Sequence, residues 1–141
     1  MRKMAEAKLK LLLLPETLAI CRLDKDTPIP EWALKGGFFS VTRTVEELSV
    51  VCPQIQVPAG MKHEEGWRGI KVQGPLDFLL TGILASLTTP LAKAGISVFA
   101  ISTYDTDYLL VKEENLEKAI EILAKKGHGI ENKVKGARHK A

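Results

Sequence analysis

The sequence has little of what announces chemistry. Among 141 residues there are two cysteines, Cys21 and Cys52, each inside an apolar, strand-like run. Neither has CxxC spacing, so both are expected to be buried free thiols acting as small hydrophobes, as suits a reducing compartment. No segment approaches the roughly 20 apolar residues that span a bilayer. The basic start, Met1–Lys10, followed by Leu11–Leu14, imitates a signal peptide, but Pro15 ends the apolar run short of the roughly 7–15 residues such a region needs. The expectation is an edge strand in a cytoplasmic protein.

Catalytic and metal motifs are missing too. There is no Walker loop, dinucleotide fingerprint or nucleophile elbow. His63-Glu64-Glu65-Gly66-Trp67 starts like a zinc-protease motif, with Trp67 where the second histidine must stand. Asp105-Thr106-Asp107 has the outline of a DxD metal site, yet no neighbouring carboxylate or histidine completes a coordination shell. No metal, cofactor or catalytic residue is assigned. His128 and His139, near the end of the chain, are expected to be solvated, and Trp32 and Trp67 to pack in the core.

Net positive charge is absent outside the tail. The net charge is +3, and the surplus of Lys133, Lys135, Arg138 and Lys140 over Glu131 accounts for all of it. The body is formally neutral, without the excess that attracts phosphate, which disfavours nucleic acid. Residues 131–141 read as a frayed basic tail.

What is present is periodicity. Leu76, Leu79, Leu80, Ile83, Leu84, Leu87 and Leu91 follow the i, i+3, i+4, i+7 pattern of one buried helical stripe. Gly74-Pro75 starts this helix, since proline at the first helical position gives up only an N–H that would lack a partner anyway. Pro90 should bend or end the last turn, with Gly95 closing it. A second helix follows from Leu116, Ala119, Ile120, Leu123 and Ala124, with Glu121 four residues before Lys125 and Gly127 as the stop.

Between the helices, Ile96–Ser102 and Tyr108–Lys112 favour strands and are joined by the polar turn Thr103–Asp107. From Arg68 onward the order is strand, helix, strand, strand, helix. That is ferredoxin-like, completed by a strand around His128–Val134. The first half repeats part of it: Phe39–Val51 matches Phe99–Val111 at an offset of 60, setting Glu47 on Asp107 and Arg43 on Thr103. Leu18–Leu23 is the matching first strand and Ile29–Lys35 a shortened helix entered through Pro28 and Pro30 and stopped by Gly36-Gly37. Pro53–Gly66 replaces the second helix by loop. The fold class expected is α+β, with two ferredoxin-like units of antiparallel sheet and helices on one face, the first eroded. Their spans are 1–65 and 66–130.

The stretches Gly66-Trp67-Arg68 to Gly74-Pro75-Leu76-Asp77-Phe78, and Ala94-Gly95-Ile96 to Asp105-Thr106-Asp107-Tyr108, resemble the ACT domain. The likeness is specific over residues 66–124 and looser over 8–65. It is closest to the branch found in aspartate kinase regulatory parts, small stand-alone proteins and CASTOR-type arginine sensors. The resemblance implies paired βαββαβ units, no catalysis by this chain, a free amino acid bound at an interface between ACT units, a homodimer and a regulated protein partner.

Carried across residue by residue, the resemblance places ligand contacts at Gly74, Pro75, Leu76 and Asp77 in the first turn and at Ile101, Ser102, Thr103 and Tyr104 beyond the second strand. Asp107 is the acid closing the polar turn, and Asp105 is a second candidate. Elementary chemistry supports part of this. A helix N-terminus preceded by glycine favours a carboxylate, and Asp77, Asp105 and Asp107 suit an ammonium or guanidinium. Asp77 equally suits a helix cap, and the other two suit turn formers. The competing reading from another class is an RNA-binding module on a ferredoxin-like sheet, suggested by Lys35-Gly36-Gly37-Phe38-Phe39. Its two aromatics are adjacent and so point to opposite sheet faces.

Overall fold

The computed structural model describes residues 8–73 and 82–132. The expected tail and the Gly74–Asp77 turn lie outside the described residues. The described chain packs as two compact units. One is 16–67, and the other joins 8–15 to 68–73 and 82–132.

Strand β1, Lys10–Leu23, passes from one unit into the other. Its first half alternates fully buried Leu11 and Leu13 with half-buried Leu12 and Leu14. A run apolar on both faces suits an interior strand, not the expected edge strand. It is flanked on both sides: by β4 (His63–Val72), with Gln73 N–H donating to the Lys10 carbonyl at 2.8 Å, and by β7 (Gly129–Asn132) in parallel, Lys10 opposite Gly129 and Leu13 opposite Asn132.

The unit of residues 16–67 holds the second half of β1, a single 3-10 turn (Glu31–Leu34), β2 (Ser40–Arg43), β3 (Leu48–Pro53), a second 3-10 turn (Gln54–Gln56) and the start of β4. Its strand order is β2-β3-β1-β4. The shortened helix is present as one turn, stopped by Gly36 at φ 107°. The second helix is replaced by loop, as expected, but β4 begins at His63, five residues before the predicted start. The core is Ala19, Cys21, Leu23, Ala33, Leu48, Val50 and Cys52. Both cysteines are free and buried.

The other unit runs β4, α1 (Ile83–Lys93), β5 (Phe99–Ser102), β6 (Asp107–Lys112), a 3-10 turn (Glu113–Asn115), α2 (Leu116–Lys125) and β7. Its strand order is β7-β1-β4-β6-β5. The predicted last strand forms, but the place beside β4 is taken by residues 10–14, and β7 adds outside them. One core cluster includes Leu11, Leu13, Ile70, Val72, Leu87, Leu91, Leu109, Val111, Ala119 and Leu123. Pro90 lies within α1, which continues through it to Lys93. Its missing N–H falls in the last turn, where one lost intrahelical bond is tolerated. Gly95 then stops the helix at φ 80°, with Gly95 N–H donating to the Ala92 carbonyl and Ile96 N–H to the Leu91 carbonyl. This is the Schellman pattern, and Ile96 packs in the same core as Leu91. Gly127, at φ 98°, ends α2 the same way and turns His128 inward. The expectation of a solvated His128 therefore fails, since the residue is 6% exposed.

The two hairpins repeat with an offset of 59, not 60. Ser40 stands opposite Val51 and Phe99 opposite Leu110, and Arg43 opposite Leu48 where Ser102 stands opposite Asp107. Gly36 and Gly95, and the 3-10 turns after β3 and β6, keep the same spacing. A slip of one residue exchanges the two faces of a strand. The structural partner of Asp107 is thus buried Leu48, not Glu47, and that of Ser102 is Arg43. Taken together, the chain is an α+β fold of two ferredoxin-like units, the N-terminal one eroded.

Candidate functional site

The polar turn between β5 and β6 builds itself from threonine. Thr103 N–H donates to the Thr106 carbonyl at 2.8 Å, the Thr103 hydroxyl donates to the same carbonyl at 3.1 Å, and Thr106 N–H returns to Thr103 Oγ1 at 3.3 Å. Threonine hydroxyls closing a turn on nearby backbone replace part of what a tighter turn would obtain from the main chain. Just outside the turn, Ser102 Oγ donates to Asp107 Oδ1 at 2.6 Å. The acid closing the turn is held across the hairpin, at the charge-assisted distance expected for a hydroxyl on a carboxylate.

Thr106 is the residue sequence reasoning did not single out. It is 4% exposed, and its hydroxyl donates to the Val72 carbonyl at 2.6 Å. A buried hydroxyl needs such a partner. The bond fastens the turn to the last residue of β4, directly ahead of the segment that leads into Gly74. The only signal available was a threonine between two aspartates.

Of the predicted residues, the structure brings Ser102 and Asp107 into contact and sets Thr103 in the turn. Ile101, half-buried, stands opposite Tyr108. Tyr104, 82% exposed, and Asp105 project from the tip. Tyr108 has the Lys71 ammonium 6.0 Å from its ring centre. Burial, and then the Asp105 carboxylate, push its phenol above the ordinary range. The turn thus offers carboxylates and hydroxyls, suited to receiving an ammonium or guanidinium. Phe38 and Phe39 precede β2 and belong to no strand, so the aromatic pair does not form a stacking platform on the sheet. Among the described residues, no three His, Cys, Asp or Glu side chains gather to hold a metal ion, and no helix is long and apolar enough to cross a membrane.

Residues 62–125 match the ACT domain family model, and residues 16–60 match a second model described as an N-terminal domain. The chain is 37% identical over 120 residues to the cytosolic arginine sensor for mTORC1 subunit 1 of Rattus norvegicus, across 74% of this chain and 36% of the sensor. Against the Homo sapiens sensor it is 40% identical over 67 residues, 47% of this chain and 20% of that protein. The chain therefore spans about a third or less of the length of these sensors. A protein from Agobacterium tumefaciens of known structure is 42% identical with a TM-score of 0.85, covering 89% of this chain and 94% of that one. The regulatory subunit of aspartate kinase from Thermus thermophilus shares the fold, at 11% identity and TM-score 0.57, over 86% and 99% of the two chains. With its own sheet, helices and turn laid out as above, this chain belongs to the ACT domain family.

Proposed function

We propose that the chain is a non-catalytic, cytoplasmic regulatory protein of the ACT type that binds a free amino acid, with the ligand held at an interface between ACT units of a homodimer. Gly74, Pro75, Leu76 and Asp77 form the turn that receives the ligand's carboxylate, the backbone N–H groups of Gly74, Leu76 and Asp77 donating to it. Ile101, Ser102, Thr103 and Tyr104 line the facing strand end, and Asp107, with Asp105 beyond it, meets the ammonium or a basic side chain. Binding favours one arrangement of units over another and so reports to a regulated protein partner.

The observation that carries this reading is the Thr106–Val72 hydrogen bond, which holds the acid-bearing turn against the end of the strand leading into Gly74. The acidic, hydroxyl-rich character of that turn accords with a cationic group on the ligand.

The test is a thermal-shift screen against the common amino acids, nucleotides and a short RNA. A ligand at about 100 times its Kd adds roughly 2.7 kcal/mol to stability. A shift confined to one or two amino acids, weakened in Asp107→Ala and Gly74→Val, is expected. An amino-acid shift unchanged in both variants removes the site assignment. Silence with amino acids and a salt-sensitive shift with RNA overturns the sensor reading in favour of nucleic-acid binding.

A further inference from the structure

The N-terminal unit holds the counterpart of the ligand turn in an altered form. At the offset of 59, Ser102 and Asp107 become Arg43 and Leu48. The acid is replaced by a buried leucine, and the hydroxyl by a guanidinium. That guanidinium reaches across to the loop joining β1 to the single helical turn: Arg43 Nη1 donates to the Lys25 carbonyl and Nη2 to the Thr27 carbonyl, the latter at 2.7 Å. The loop is further shaped by Thr27 N–H donating to the Asp24 carbonyl at 3.0 Å. By its place between first strand and first helix, this loop is the equivalent of the segment containing Gly74–Asp77.

Two carbonyls presented to one forked cation form a recognition pattern for guanidinium. We infer that Arg43 is a tethered occupant of the N-terminal unit's ligand position, a guanidinium supplied by the chain itself to a two-carbonyl cradle at Lys25 and Thr27. The inference rests on the reading of residues 74–77 and 101–107 as the ligand site. It accounts for what ties down the first loop of the eroded unit, which retains neither the acid nor the second helix. It also predicts what that cradle accepts when the tether is cut: a small guanidinium compound, and not an ammonium of equal charge.

The test is amide exchange at Thr27 in the full chain, in wild type, Arg43→Ala and Arg43→Lys. Losing a charge-assisted fork should raise the rate about tenfold in Arg43→Ala. Millimolar methylguanidinium should return it toward wild type, while methylammonium at the same ionic strength should not. Arg43→Lys, which keeps the stem and the charge, provides the same readout if the alanine variant does not fold, and should also exchange faster than wild type. Unchanged exchange in the variants, or equal rescue by methylammonium, overturns the inference. The readout involves neither Asp107 nor any free amino acid. Rescue by methylguanidinium alongside a silent amino-acid screen would therefore preserve the cradle while removing the sensor reading.

Discussion

The Leu9 N–H donates to Nδ1 of His128 at 3.0 Å, and one residue on, Gly129 N–H donates to the Leu9 carbonyl at 2.9 Å. A histidine side chain thus extends the β1–β7 ladder by one rung, and as an acceptor at Nδ1 the ring must be neutral.

Burial, with the Lys8 ammonium acting the same way, lowers the His128 pKa below its ordinary value of 6.5. In the unfolded chain the imidazole takes its proton first as pH falls. Its contribution to stability is therefore complete above the unfolded value and is lost progressively below about pH 6.5, down to the folded value. Urea unfolding at about pH 7.5 and pH 5.5 should show a fall in stability for wild type that is smaller in His128→Asn. Equal falls in both would contradict the assignment.

Thr106→Val keeps the shape and removes the donor, leaving the Val72 carbonyl without its 2.6 Å partner. The expected cost is about 1–3 kcal/mol in denaturant unfolding. Thr106→Ser, which retains the hydroxyl, should lose less.

Gly36 and Gly95 occupy equivalent places with different surroundings. A Cβ on Gly95 meets nothing within 4 Å, whereas one on Gly36 falls 2.3 Å from Pro53 Cγ. Gly95→Ala should cost only the left-handed backbone penalty, about 1–2 kcal/mol. Gly36→Ala adds overpacking against a rigid ring and should cost about 1–3 kcal/mol more. Comparing the two denaturation midpoints separates conformation from contact.

Cys21 and Cys52 lie on one face of the β1–β3 pair, fully buried. Their shared side-chain hydrogen bond, reinforced by burial, pushes the Cys21 thiol far above its ordinary range. The same bond lowers the Cys52 thiol, so it is burial that protects that residue. A thiol reagent should label neither at a rate above that of global unfolding, and both should react at once in denaturant.

Much of this was legible because hydrophobic period and punctuation agree. The stripe through Leu87 and Leu91, the stops at Gly95 and Gly127, and the hairpin around Thr103–Asp107 all follow from local rules, and so the fold class did too. The misreadings are those where a distant strand decides. The sequence reads as an offset of 60 because two identities, Phe39 with Phe99 and Val51 with Val111, outweigh the hydrogen-bond register, which no local pattern displays. Leu11–Leu14 looked like an edge because its neighbours, β4 and β7, lie far along the chain. His128 looked solvated because its partner, the Leu9 backbone, is 119 residues away. For the candidate site, the acid closing the turn could be read directly, but the buried hydroxyl of Thr106 could not.

Strand β1 has a consequence for how the protein is made. Residues 10–14 leave the ribosome well before their hydrogen-bonding partners, residues near 73 and 129–132. The β3 partners of 18–23, residues 48–53, and the Lys62 carbonyl that accepts from Arg22 N–H have, in contrast, all emerged by residue 62, and the start of β4 completes the unit at Trp67. The N-terminal unit can close during synthesis while the beginning of its own first strand waits, an apolar ribbon of leucines exposed until the last few residues of β7 arrive.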